Sequence, residues 1–115
     1  YTTDTSFAEG DHRNYNRHGE AFDQGETFSG VDYDDGVRAA QTFAASLPDA
    51  VSVPQAALAW IIAQDGVTAA IPGARNPEQA RSNAAAGDLP PIEGLDATVR
   101  DLYDTWFRAS VHDRW

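Results

Sequence analysis

The feature that most constrains this chain is a short apolar run followed at once by a helix start. The run extends from Val67 to Ile71, with Gly66 before it and Pro72-Gly73 after it. An apolar run bounded in this way predicts a buried strand. The next residues, Asn76-Pro77-Glu78-Gln79, place an amide side chain at an N-cap, Pro at the first helical position and Gln three residues after the cap. A strand, a turn and a helix start so close together indicate an α/β fold.

This arrangement is also typical of an anion-binding site. The helix dipole favours an anion at the N-terminus, and we expect free backbone N–H groups of the turn and the first helical turn to point at one spot. Arg75 adds a planar guanidinium suited to phosphate oxygens. Two alternatives remain open from the residues alone: Pro-Gly is also an ordinary turn, and Arg75 is equally suited to a solvated surface position. Glu78 opposes an anion.

Motifs between about residues 50 and 87 carry a family resemblance. They read Ala56-Ala57-Leu58-Ala59-Trp60, Gly66-Val67, Ile71 to Gln79, and Asn83-Ala84-Ala85. Together they resemble the C-terminal part of an aldo-keto reductase. The resemblance implies the C-terminal portion of a (β/α)8 TIM barrel, made of a long loop, helices, the last strand, a cofactor-binding helix and a C-terminal helix. It also implies reduction of aldehydes or ketones with NADPH.

The resemblance further implies an NADP(H) site in the turn after the last strand and in the helix that follows. The backbone of Gly73 and Ala74 and the side chain of Arg75 would face the adenosine 2′-phosphate. Gln79 would lie beside the adenosine, and Asn83 would form a hydrogen bond with the adenine. The resemblance therefore assigns these five residues to cofactor binding.

No catalytic residue is assigned to this chain. The family's chemistry uses a Tyr general acid, a Lys that lowers its pKa, an Asp and a His, all from the first half of the barrel. This chain has no Lys, because its eight basic residues are all Arg. One strand cannot form a sheet, and a complete barrel needs about 250 residues. We therefore expect the 115 residues to be the C-terminal fragment of an oxidoreductase domain whose remaining strands lie on the parent chain.

The first 32 residues show neither helical nor alternating periodicity, which predicts a long loop, either a functional lid or a disordered segment. The resemblance favours a loop that covers the cofactor. His12, Arg13, Arg17 and His18 are candidate pyrophosphate or substrate contacts, although solvated polar residues are the preferred interpretation. The two histidines lack the spacing of a zinc ligand set, so we predict no metal site.

The remaining patterns predict helices. They cover Asp34 to Leu47, a segment from the Ser52 capping box to Gly66, 77 to about 86, and Asp96 to Ala109. The second of these helices is apolar around most of its circumference, so we expect burial on more than one side, with Trp60 as a core residue. The last carries an aromatic stripe that is expected to pack on the exterior of the barrel.

Composition limits the partners. The formal net charge of -10 disfavours nucleic acid and anionic membranes, and the chain has no cysteine and no apolar segment of bilayer-spanning length. We expect a cytoplasmic protein that acts on a small carbonyl substrate. The alternative is a non-enzymatic acidic interaction module, or a barrel relative that senses the cofactor and has lost turnover.

Overall fold

A computed structural model describes residues 2–16 and 30–114. Every regular element in these residues is helical. The α-helices are α1 (His12–Tyr15), α2 (Tyr33–Ala45), α3 (Val53–Ile62), α4 (Pro77–Ala85), α5 (Leu95–Leu102) and α6 (Arg108–Val111). A 3₁₀ turn, Ala86–Asp88, follows α4, a π-helical turn, Tyr103–Phe107, joins α5 to α6, and a second 3₁₀ turn covers His112–Arg114. None of the helices in the described part is long and apolar enough to cross a bilayer.

The chain divides into two compact units. The first unit contains the described residues 2–16, 30–42 and 100–114, and the second contains 43–99. The predicted cofactor-binding residues, Gly73 to Asn83, all belong to the second unit. Each unit is therefore considered by itself.

In the first unit, residues 2–16 form a loop with one helical turn, α1, that the sequence did not predict. Its turns are held by local hydrogen bonds, such as the N–H of Asp11 donating to the carbonyl of Ala8 (3.0 Å). The hydroxyl of Tyr33, a buried residue of α2, donates to the carbonyl of Thr2 (3.1 Å). This part of the predicted loop is thus ordered by hydrogen bonds. Whether it covers a cofactor stays a prediction.

Helix α2 begins one residue before the predicted Asp34 and ends two residues before the predicted Leu47. It is capped by Asp32, whose Oδ1 accepts from the N–H groups of Asp34 (2.9 Å) and Asp35 (3.2 Å). Its apolar face supplies the buried Val37, as the helical periodicity predicted.

Helix α3 starts as predicted, because the Ser52 hydroxyl accepts from the N–H of Gln55 (3.4 Å). The predicted extension to Gly66 is wrong, since the helix ends at Ile62 and Gly66 turns the chain with a φ of +86°. A left-handed φ of this kind suits glycine and cannot continue a helix. The expected burial on more than one side is also wrong for the described residues, in which Ile61 and Ile62 are exposed. The physical reason is that no second layer covers those faces there.

Trp60 differs from the simple core residue that the sequence predicted. It is half-buried, and its indole N–H donates to the Asp96 carboxylate (3.0 Å). Asp96 lies in the first turn of α5. The indole therefore ties α3 to the start of α5 within the second unit.

The predicted buried strand Val67–Ile71 is wrong for this structure. The segment has no regular secondary structure, and the side chain of Ile71 is 98% exposed. A strand exists only through ladder hydrogen bonds to a neighbour, and the described residues contain no other strand that could supply them. The (β/α)8 barrel portion is therefore not formed by these residues alone.

The last helical stretch was predicted from Asp96 to Ala109 and is found from Leu95 to Val111, with the π-helical turn inside it. Arg108 donates through Nε to the Asp104 carboxylate (2.6 Å) and lies over the Tyr103 ring. The hydrogen bond and the charge of Asp104 raise the pKa of Arg108 above its ordinary value. These contacts lie on one exposed side of the helix.

Candidate functional site

The N-terminus of α4 forms as the sequence predicted. Asn76 has extended backbone angles (φ -151°, ψ 163°), and its Oδ1 accepts from the N–H of Gln79 (2.8 Å). Pro77 occupies the first helical position, where its missing N–H costs no helical hydrogen bond. The carbonyl of Asn76 accepts from the N–H of Ala80 (3.2 Å), which begins the helical ladder. The helix start is therefore fixed by residues within four positions of each other.

Two side-chain hydrogen bonds fold the preceding turn back onto α4. The Asn83 amide Nδ2 donates to the carbonyl of Gly73 (3.1 Å), and the N–H of Arg75 donates to Gln79 Oε1 (2.8 Å). Of the five predicted cofactor residues, these four are joined in two pairs, and Ala74 lies between Gly73 and Arg75 in the chain. The structure thus brings the predicted residues together in one place.

Only some of the backbone N–H groups in the turn and the first helical turn are free, as an anion site would need. The N–H of Gln79 is used by the Asn76 cap, and the N–H of Arg75 is used by the Gln79 side chain. Pro77 has no N–H. Within the described residues, the backbone N–H groups left without an acceptor here are those of Gly73, Ala74, Asn76 and Glu78. Only the last two belong to the helix start, which therefore presents fewer donors to an anion than a bare helix end does.

The turn carries one unpaired positive charge, that of Arg75, among the described residues, and its nearby negative charge, that of Glu78, is paired. In the described part of the chain, the exposed guanidinium of Arg75 makes no ion pair or hydrogen bond. Glu78 is paired with Arg81 one helical turn further on (3.6 Å), and both side chains are more than three-quarters exposed. An exposed pair of this kind is weak. It nevertheless places a positive charge beside the carboxylate that would oppose an anion at the helix start.

The side chains of Gln79 and Asn83 each keep one polar group that is not used within the turn. Because Gln79 Oε1 accepts from Arg75, the Gln79 amide offers its NH2 group as a donor. Because Asn83 Nδ2 donates to Gly73, its Oδ1 is the atom offered as an acceptor. A Cβ added at Gly73 would meet no heavy atom of the described chain within 4 Å, so the backbone there is open to a ligand. Donors are thus available around Gly73 and at Gln79, and an acceptor is available at Asn83.

The candidates in the N-terminal loop are less suited to a ligand. Arg13 Nε donates to the Asp11 carboxylate (2.8 Å), and the guanidinium lies 4.7 Å from the centre of the Phe7 ring. This arrangement neutralises Arg13 within its own loop, so Arg13 is a paired, half-buried residue and not the solvated one that was the preferred interpretation. The side chain of His12, together with Arg17 and His18, lies outside the described residues. No group of three metal-ligating side chains occurs in the part of the chain that the structure describes.

One residue that contacts α4 was assigned only a local role by the sequence. Gln55 was read as part of the α3 capping box, yet its Nε2 also donates to the carbonyl of Ser82 in α4 (3.3 Å). No local pattern could reveal this bond, because its two residues are 27 positions apart. The link joins α3 to the helix that carries Asn83.

Comparison with known families agrees with the motifs. A model of the aldo/keto reductase family matches residues 1–96, a range that includes the whole of the α4 turn and extends well beyond the motifs between about residues 50 and 87. Searches of curated proteins and of solved structures give no match. The family implies oxidoreductase chemistry and a TIM-barrel fold. The resemblance inferred from the motifs is confirmed, and this chain belongs to the aldo/keto reductase family.

Proposed function

We propose that this chain is the NADPH-binding portion of an aldo-keto reductase that reduces aldehydes or ketones. The single observation that carries the proposal is the hydrogen-bonded turn before α4. It joins Gly73 to Asn83 and Arg75 to Gln79, so four of the five residues that the resemblance assigns to the cofactor are linked to each other by hydrogen bonds. The family match gives the chemistry to which that site would contribute.

The 2′-phosphate would be held at the tip of the turn. The Arg75 guanidinium, the Gln79 NH2 group and the backbone N–H groups of Ala74 and Asn76 are donors or positive charges, as a phosphate requires. Arg75 would make the charge-assisted contact that distinguishes NADPH from NADH. Asn83 Oδ1 would accept from the adenine amino group while its Nδ2 stays on Gly73.

The remaining strands of the barrel would pack against the segment Val67–Ile71. This segment is apolar, it has no secondary structure of its own, and Ile71 is almost completely exposed. Pairing with strands of the same domain would satisfy its backbone groups and bury Ile71. In that arrangement the turn that follows would lie at the end of the barrel where TIM barrels hold phosphate.

NADPH supplies the hydride when it is bound, and this chain's own residues bind and orient its adenosine end. The chain has no Lys and so cannot supply the family's Tyr-Lys pair. The groups that protonate the carbonyl oxygen would come from other parts of the natural polypeptide. The substrate would be a small carbonyl compound.

The test is a titration of NADPH and NADH into the full-length natural polypeptide, wild type and Arg75→Ala. We expect Arg75→Ala to weaken NADPH by about 1.5–3 kcal/mol, because a charge-assisted hydrogen bond to phosphate is lost. We expect little change for NADH, which lacks the 2′-phosphate. Quenching of tryptophan fluorescence is a suitable readout, since Trp60 is half-buried in the same unit.

The matched control is Arg81→Ala. It also removes one positive charge, but that charge lies within α4 and is already paired with Glu78. We expect this variant to change both affinities only slightly. Equal weakening of NADPH and NADH by Arg75→Ala would contradict the role of Arg75. Absence of binding by the wild type would contradict the proposed function and would favour an interaction module or a relative with altered function.

A further inference from the structure

Gln55 makes hydrogen bonds in two directions from the first turn of α3. Its Oε1 accepts from the Ser52 hydroxyl (2.8 Å), and its Nε2 donates to the carbonyl of Ser82 in α4 (3.3 Å). The orientation of the amide follows from chemistry, because a backbone carbonyl can only accept a hydrogen bond. The side chain is half-buried, so water competes less for these bonds than on an open surface.

The Ser82 carbonyl needs this donor because of its place at the end of α4. The last four carbonyls of a helix have no donor from the following turn. The N–H of Ala86, which lies four residues after Ser82, donates instead to the carbonyls of Asn83 and Ala84. Gln55 therefore donates to the Ser82 carbonyl, whose usual i+4 donor, the N–H of Ala86, bonds elsewhere.

The position of Ser82 connects this bond to the nucleotide site. Ser82 precedes Asn83, whose side chain holds the Gly73 carbonyl, so a shift of the last turn of α4 would move both Asn83 and the turn. Helix α3 also packs against α4 and against the 3₁₀ turn Ala86–Asp88. Ala56, next to Gln55 in the chain, is fully buried, and Ala86 is only 2% exposed. These small residues let the two elements approach closely.

We infer that Gln55 is a positioning residue for the adenine-binding part of the site. It acts through Ser82 on the orientation of Asn83 and does not touch the cofactor itself. This inference rests on the proposed function. It predicts that loss of the Gln55 donor weakens NADPH and NADH by the same factor, because both carry the adenine, and leaves the preference between them unchanged.

The experiment uses Gln55→Glu in the full-length natural polypeptide. The Glu carboxylate can still accept from Ser52 and keep α3 capped, whereas it cannot donate to the Ser82 carbonyl. Gln55→Leu removes both bonds without adding a charge. We expect both variants to raise the Kd of NADPH and of NADH by about twofold to tenfold, the range of one ordinary hydrogen bond. Hydrogen exchange should become faster at the last turn of α4.

Ser52→Ala is the matched control, since it removes the α3 cap and leaves the Gln55 donor in place. We expect Ser52→Ala to lower the unfolding midpoint and to leave both Kd values unchanged. Gln55→Glu should raise both Kd values and leave the unfolding midpoint nearly unchanged. Unchanged Kd values in Gln55→Glu and Gln55→Leu, or a loss limited to NADPH, would overturn the inference alone. A wild type that binds neither cofactor would overturn the proposed function and the inference with it.

Discussion

Two neighbouring stretches of the second unit were both predicted from sequence, and only one of them has the expected structure. Residues 73–83 form the capped helix start and the folded-back turn, held by hydrogen bonds that span three to ten residues. Residues 67–71 were predicted as a buried strand and have no regular structure. The two stretches are separated by a single residue, Pro72.

The difference lies in where their hydrogen-bond partners are. The Asn76 cap, the Gln79 side chain and the Asn83 amide all find partners within α4 and the turn before it. A strand cannot find its partners locally, because its N–H and C=O groups bond to those of a neighbouring strand. The turn proposed to bind the nucleotide can therefore be formed locally even where the strand before it is not. The predictions below test this contrast.

The largest effect should come from Ile71→Ala in the full-length natural polypeptide. If the segment Val67–Ile71 pairs inside a barrel there, the variant should lower the free energy of unfolding by about 2–5 kcal/mol, as buried Ile→Ala changes do. Urea unfolding measures the change, and Ile71→Val, with an expected loss of about 1 kcal/mol, is the matched control. A loss below about 0.5 kcal/mol, typical of surface sites, would show that Ile71 stays exposed, as it is here.

A smaller effect is expected at the helix start. Asn76→Ala removes the Oδ1 that accepts from the N–H of Gln79 and should cost about 1 kcal/mol of stability. Hydrogen exchange of the first turn of α4, measured together with urea unfolding, should report the loss. Asn76→Ser should restore most of the stability, because serine is also a good N-cap. Equal destabilisation by Ala and Ser would mean that the amide acts in some way other than capping.

The smallest effect is expected from Glu78→Gln. Removing the carboxylate takes away a charge that repels a phosphate at the turn, so NADPH affinity should rise about twofold at low salt. Stability should fall by about 0.3 kcal/mol, because an acidic group in the first turn of a helix and its exposed pair with Arg81 are both lost. Fluorescence titration at two salt concentrations tests the gain, which should shrink as salt rises. An affinity gain that is independent of salt would contradict the electrostatic explanation.

The success of the sequence-based predictions follows the range of the interactions. The caps at Ser52 and Asn76 depended on residues a few positions apart, and they were predicted. The end of α3 was placed four residues too late, because an apolar pattern does not show where the last helical hydrogen bond is made. The bond from Gln55 to Ser82 was missed altogether, since it depends on how α3 packs against α4.

By itself, the sequence determined the family and the caps that start α3 and α4, and it predicted the residues of the candidate nucleotide site. These properties depend on residue types at short spacing, such as Asn-Pro at a helix start, and do not need the rest of the fold. Only the tertiary structure decided which donors the turn keeps for a ligand, that Gln55 holds the end of α4, and that Val67–Ile71 is not a strand here. The bond from Gln55 and the absence of a strand depend on partners distant in sequence. The donors that the turn keeps depend on which of its own groups the folded chain brings within hydrogen-bonding reach, and residue types alone do not give that geometry.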